Sequence, residues 1–303
     1  MIDEMIAIGD PVDWLLGRDE FHHSLYAAAL RNLEDLDNKL RFNNFAYALR
    51  ELTNAILMQR APKEEVLKCP WYKDEIQRPH IRDGVTKIQH ARYVVQGGLS
   101  DEYVAKELKL DLSPERKAIR DSLTELSKYT HVEKATFNLP NQEVQMLVEK
   151  ALDALRGLGI AMVNCRSRIA HSLYEAIEDQ AIYEVVSDSL EVLDSIAHHY
   201  SLEDVRVHVR GVDRITHDTI YLFAAGFIDV QLQWGSNSDV RRGDGHLQDD
   251  SFEFRCSLTC SVEDPTGDSL LMEEDSIIVD TKAWGLREDE CDHVSTIDSE
   301  PEA

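Results

Sequence analysis

Lys128 and His131 are three positions apart, so on a helix they share a face, where the lysine charge can lower the histidine pKa. A carboxylate such as Glu51, which follows Arg50 on an earlier helical stretch, would act in the opposite sense and orient the ring. Arg50, Glu51, Lys128 and His131 together could therefore do acid–base work. They also suit a satisfied polar cap, because Lys and His near a helix C-terminus are favoured by the dipole. Arg166 and His171 form a second pair: a histidine can exchange a proton with a ribose 2′-hydroxyl or a leaving oxygen, and an arginine can steady a phosphorane charge. On a continuous helix, positions five apart point about 140° apart, so these two converge only through a break or a partner chain. Otherwise one is a snorkelling arginine and the other a surface histidine.

Oxygen-rich and sulfur-bearing segments lie further on. In WGSNSDVRRGDGHLQDDSF, the carboxylates Asp239, Asp244, Asp249 and Asp250, with Ser236 and Asn237, could offer ligands to a hard cation such as Mg²⁺. Arg241 and Arg242 add a local basic spot able to touch phosphate. The spacing fits no EF-hand, and a long hairpin connection needs Gly, Asn and Asp for its backbone angles in any case. Asp264, followed at a distance by Asp280-Thr281-Lys282, offers two carboxylates and a lysine; strand alternation would put Asp280 and Lys282 on one face. Cys256 and Cys260 would share a strand face at about 13 Å, too far apart to ligate one ion, and read as core cysteines. Cys291-x-His293 is the remaining zinc-like fragment, and the pairs His22-His23 and His198-His199 read as surface residues.

The elements that must position these side chains follow from periodicity. In FNNFAYALRELTNAIL, Phe42, Phe45, Leu49, Leu52 and Ile56 step by three and four, with Asn43 or Asn44 available as N-cap and Pro62 beyond the end. GVTKIQHARYVVQ runs into Gly97-Gly98, which can end a helix in the left-handed conformation, and Ser100 caps a restart at SDEYVAKEL. Ser113-Pro114 reads as a cap followed by proline at the first helical position, for a helix that stops near Lys128 to His131. The periodic region from Val144 to Ile196 reads as two long helices, with Gly157 and Gly159 as a point of division. The period then becomes two: Val205, Val207 and Val209 alternate up to a polar turn at Thr216-His217-Asp218, and Ile228 to Trp234 resume the pattern. Phe252, Phe254, Cys256, Leu258, Cys260 and Val262 share one face of a later strand, after a long turn from Gly235 to Asp250. The expected fold is α+β: an N-terminal helical bundle over residues 1–200, a C-terminal antiparallel β-rich domain over 201–285, and an acidic, aperiodic, disordered tail over 286–303.

Composition narrows the classes of function. The chain has 303 residues, 57 acidic and 32 basic, for a formal charge of −25, so a broad phosphate-gripping surface is excluded and contact with nucleic acid must be local. Five scattered cysteines do not make a secreted disulfide framework, and the reduced cytoplasm is the expected location. The longest apolar run, Tyr221 to Ile228, is far short of a bilayer span, so no membrane association is expected.

Three resemblances attach to these residues. Arg166 and His171 resemble the motif of HEPN ribonucleases, helical domains that cut RNA without metal. Asp264 with Asp280-x-Lys282 is similar to the restriction-endonuclease pattern, in which two carboxylates hold Mg²⁺ and a lysine helps activate water. A broader likeness spans residues 40–262: RFNNFAYALRELTNAIL, CPWY at 69–72, ARYVVQGGLSDEYV, LSKYTHV at 126–132 and LQWGSNSDVRRGDG resemble the predicted pPIWI-associating nucleases of bacteria. That resemblance implies a nuclease role in antiviral defence, with an Argonaute-like or other defence-system partner delivering RNA or DNA. It ranks Arg50, Glu51, Lys128, His131 and Asp239 above Arg166 and His171. The alternative is a non-catalytic adaptor or sensor in the same kind of system, its helical part docking a partner.

Overall fold

The computed structural model describes residues 10–73, 84–187 and 190–284. Eleven α-helices occur among them: α1 (Pro11–Leu16), α2 (Glu20–Arg31), α3 (Arg41–Arg60), α4 (Lys63–Lys68), α5 (Lys87–Gln96), α6 (Asp101–Lys106), α7 (Ser113–Tyr129), α8 (Asn141–Ser172), α9 (Tyr174–Ser187), α10 (Glu191–Asp194) and α11 (Asn237–Arg242). Five strands complete the α+β architecture: β1 (His199–Ile215), β2 (Thr219–Trp234), β3 (His246–Ser261), β4 (Leu271–Met272) and β5 (Ile278–Val279). No helix among the described residues is long and apolar enough to cross a membrane.

Two compact units are interleaved along the chain. The first takes residues through Ile177 together with Arg210–Phe223 and Leu258–Leu271; the second takes Glu178–Val209, Ala224–Ser257 and the residues from Met272 on. Strands β1, β2 and β3 therefore each contribute to both units. Cys291, His293 and the expected acidic tail lie outside the described residues.

Helix packing organises the first unit. On α3, Phe42, Phe45, Leu49, Leu52 and Ile56 are all buried, as their spacing requires. That helix packs against α2, α5 and α7, while α8 packs against α1, α5 and α7. Asn43 is not the N-cap: the helix begins two residues earlier, and the buried Asn43 amide donates instead to the Tyr129 carbonyl at 2.9 Å. Ser113 is the first helical residue rather than the cap, and its N–H is taken by the Asp111 side chain at 2.9 Å. Gly157 and Gly159 do not divide α8, which runs unbroken for 32 residues. Gly159 serves close approach, since a Cβ there would lie 2.2 Å from the Pro11 carbonyl oxygen. Gly97 ends α5 and the Ser100 side chain starts α6 as expected, although Gly97, at φ 54° and ψ −134°, takes a positive-φ conformation other than the left-handed helical one. His22 is buried, against the surface reading, because it falls on the inward face of α2; its Nδ1 lacks a hydrogen-bond partner.

The sheet is a meander in the order β1-β2-β3, with β4 and the antiparallel β5 both paired to β3. Ile220, Leu222, Ala224, Ile228, Val230 and Leu232 of β2 are buried, as are Phe252, Phe254, Cys256, Leu258 and Cys260 of β3, so strict alternation defines the inner face. Val209 departs from it and is exposed. The expected long turn from Gly235 to Asp250 is shorter: α11 occupies its start, with a Ser236/Asp239 capping box, and β3 already begins at His246. Asp280 and Lys282 follow β5 rather than alternate along it, and Lys282 lies in a short 3₁₀ turn.

Candidate functional site

The stretches around Glu51 and His131 do meet. Arg50 on α3 donates from Nη1 to Thr130 Oγ1 at 3.2 Å, just past the end of α7, and the Phe42 and Tyr129 rings pack edge-to-face at 4.8 Å. Arg50 also closes on Glu51, with Nη2 to Oε1 at 2.6 Å. Lys128 is turned to Glu125 at 2.8 Å, a bond that raises its ammonium above the ordinary lysine value. The His131 ring is exposed and makes no hydrogen bond to Arg50, Glu51 or Lys128. The two stretches are thus joined through Arg50–Thr130 and Phe42–Tyr129, while Arg50, Glu51, Lys128 and His131 are not joined into one network.

Arg166 and His171 diverge as the helical angle requires. Arg166 points inward, its Nε buried without a partner, and burial, then the nearby Arg60 charge, lowers its pKa. His171 is exposed at the end of α8. In the second unit Asp239 caps α11 and receives Arg242, Asp244 stands 3.9 Å from Arg242, and Asp250 accepts the Trp284 indole N–H at 2.8 Å. Capping and ion pairing use these carboxylates separately. Among the described residues no group of three His, Cys, Asp or Glu side chains is placed to hold a metal ion, so the proposed ligand set Asp239, Asp244 and Asp250 is not gathered around one point. Cys256 and Cys260 are buried free thiols, in keeping with a core role.

A different polar cluster lies within the first unit. His217, at the tip of the β1–β2 hairpin, donates from Nδ1 to Glu65 Oε2 at 2.7 Å, and its Nε2 lies 3.4 Å from Asp218 Oδ2. Glu65 on α4 also accepts Lys68 at 3.1 Å and the Tyr93 hydroxyl at 3.3 Å. The two side chains are about a quarter exposed, 24% for His217 and 26% for Glu65, so solvent reaches the pair without dissolving it. Partial burial pushes the Glu65 carboxyl up, but hydrogen bonds from His217 and Lys68, with their charges, outweigh it and hold it below the ordinary carboxylate value. Burial first, then the Glu65 charge, pushes the Cys69 thiol up to about 12, which makes it inert. Arg92 lies with its guanidinium carbon 4.0 Å from the Trp71 ring centre and pairs with Asp101 at 2.9 Å; desolvation lowers it to about 10.

The local sequence explains how His217 is presented. Thr216 and Thr219 close a two-residue hairpin loop, Thr216 N–H to Thr219 O at 2.8 Å, leaving His217 and Asp218 as its central residues. Two-residue hairpins favour Asn-Gly because their turns need positive φ. His217 and Asp218 are not among the residues with positive φ, so this turn forgoes the preferred geometry. It is held from outside: Gly98 N–H donates to Thr216 O at 2.8 Å, and a Cβ on Gly98 would lie 1.9 Å from the His217 carbonyl oxygen. The Trp71 indole fixes the Gly97 carbonyl at 2.7 Å. In the sequence Thr216-His217-Asp218 reads only as a turn; the signal for more is its departure from Asn-Gly loop chemistry together with the paired glycines at 97 and 98.

The chain is thus an α+β protein, helical in its N-terminal part with an antiparallel sheet after it, that carries a mostly buried histidine–carboxylate pair. Two family models, each described as Predicted pPIWI-associating nuclease, match residues 15–155 and 162–285. The chain belongs to this family. No curated protein and no solved structure matches it. Glu65 and Tyr93 fall under the first model and His217 under the second.

Proposed function

We propose that this chain is a nucleic-acid-cleaving component of a prokaryotic antiviral defence system, acting in the cytoplasm beside an Argonaute-like partner, with His217 and Glu65 as its acid–base pair. The family name supports nuclease chemistry and a PIWI-type partner. The observation that carries the site is the 2.7 Å His217 Nδ1 to Glu65 Oε2 bond in a solvent-reachable position. With Nδ1–H committed to Glu65, Nε2 takes the proton of the attacking hydroxyl or water as the new P–O bond forms. The carboxylates of Glu65 and Asp218 compensate the charge on the ring, and the proton returns to the leaving oxygen as the old P–O bond breaks. Lys68 is more than half exposed, and its pair with Glu65 is of the weak surface kind, so it can turn to a substrate phosphate at little cost.

A second reading keeps Arg50, Glu51, Lys128 and His131 as the centre, with His131 as base, and is supported by the Arg50–Thr130 bond that brings the two stretches together. One experiment separates them. Purified protein, alone and with its partner, is incubated with RNA and single-stranded DNA, with Mg²⁺ or chelator, beside His217→Ala, Glu65→Gln and His131→Ala. Under the first reading His217→Ala loses 10²-fold or more and His131→Ala is unchanged. The reverse pattern selects the second centre. Cleavage abolished by chelator moves the chemistry to a metal site, and no cleavage in any combination makes the chain an adaptor.

A further inference from the structure

The second unit carries three near-parallel aromatic rings drawn from separate elements. Trp234, at the end of β2, stacks on His246, the first residue of β3, with centroids 5.5 Å apart and planes 30° apart. Trp234 also stacks on Trp284 of the last 3₁₀ turn, at 5.9 Å and 25°. Both indoles are fixed by their N–H groups: Trp234 donates to the Ile196 carbonyl at 3.0 Å and Trp284 to Asp250 Oδ2 at 2.8 Å. A cluster built only for the core would be buried. Here the His246 ring is exposed, and both tryptophans retain partial exposure.

We propose that this stack is a platform for the bases of single-stranded nucleic acid. Flat, tethered and part-exposed rings accept another ring with little ordering cost, and every nucleobase offers a π-face. Arg241, exposed on α11 between Trp234 and His246 in the chain, makes no ion pair among the described residues and supplies one cation for a phosphate. The neighbouring Arg242 is already engaged by Asp239. The platform therefore recognises bases more than backbone. Its affinity falls little as salt rises, because the counterion-release slope scales with the number of phosphates contacted, about 0.7 for each on a single strand. This inference does not depend on the location of the cleavage centre.

The test is a binding titration. A ten-nucleotide oligothymidine and an oligouridine of equal length are added to the full chain while tryptophan fluorescence is followed, with an abasic oligonucleotide of the same length and charge as control. The expected result is quenching by both base-bearing strands, none by the abasic strand, and a weakening on the order of tenfold for each of Trp284→Ala and His246→Ala. His246 is exposed, so its replacement tests the platform without endangering the fold. Abasic binding equal to that of the other strands, or both variants binding like the parent, overturns the proposal. So does quenching by an arginine-rich peptide but by no oligonucleotide, which would make the stack a protein contact.

Discussion

Glu65 is the residue on which pH should act most directly. Its carboxyl titrates below its reference value of 4.5 in the folded chain, because His217 and Lys68 favour its charged form more than burial opposes it. A carboxyl whose folded value is depressed adds stability above its unfolded value and loses it as pH falls through the folded one. The stability difference between the parent and Glu65→Gln should therefore be full above roughly pH 5 and shrink steadily below it. Denaturant unfolding across pH 3 to 7 measures this, and a difference that is flat throughout contradicts the assignment. The same residue shows why the His217–Glu65 pair is not legible in the sequence. Glu65 reads there as one acid in the first turn of a short helix, and His217 as one polar residue of a turn, 152 positions away. Spacing carries information only within an element, and this pair is made by packing between elements. The burial of His22 is hidden for a related reason, since two adjacent histidines give no hint of which one faces inward.

At the level of elements, the β1–β2 hairpin depends on α5 and the glycines after it for its orientation. Gly98→Ala places a methyl group against the His217 carbonyl with no flexible side chain to yield, so the hairpin tip must move away. The expected outcome is a loss of cleavage comparable to that of His217→Ala, with a stability cost of about 1–3 kcal/mol, since overpacking at backbone is relieved only by shifting it. Parallel activity and denaturation measurements check this; an alanine variant with full activity would show that the tip is not held there. Much of this element-level structure was legible. Phe42, Phe45, Leu49, Leu52 and Ile56 gave α3 its inner face, and Phe252 to Cys260 gave β3 its own, because burial enforces the period of each backbone. Helix boundaries and the role of Gly159 were not legible. Asn43 has the composition of a cap but serves a tertiary bond, and a glycine that admits a neighbouring helix looks in sequence like one that ends its own.

For the whole molecule the governing quantity is the charge of −25. Nucleic acid approaching such a chain unaided meets net repulsion, which ionic strength screens over a Debye length of about 10 Å at 0.1 M salt. Cleavage without a partner should therefore hold steady or quicken as salt rises from 20 to 150 mM, where a basic nuclease would slow; initial rates at fixed substrate concentration decide the matter. A partner that captures the strand would remove the dependence. Interleaving of the two units bears on inheritance. The boundary between the two matched family models, near residues 155–162, falls inside the uninterrupted α8, and the units themselves exchange segments beyond it. A recombination event that joined the front of one relative to the back of another would splice a single helix and pair one parent's Glu65 and Gly98 with the other's His217. Natural shuffling of the two halves should accordingly be disfavoured, and hybrid genes should yield soluble protein only when both sides of that hairpin contact come from the same ancestor.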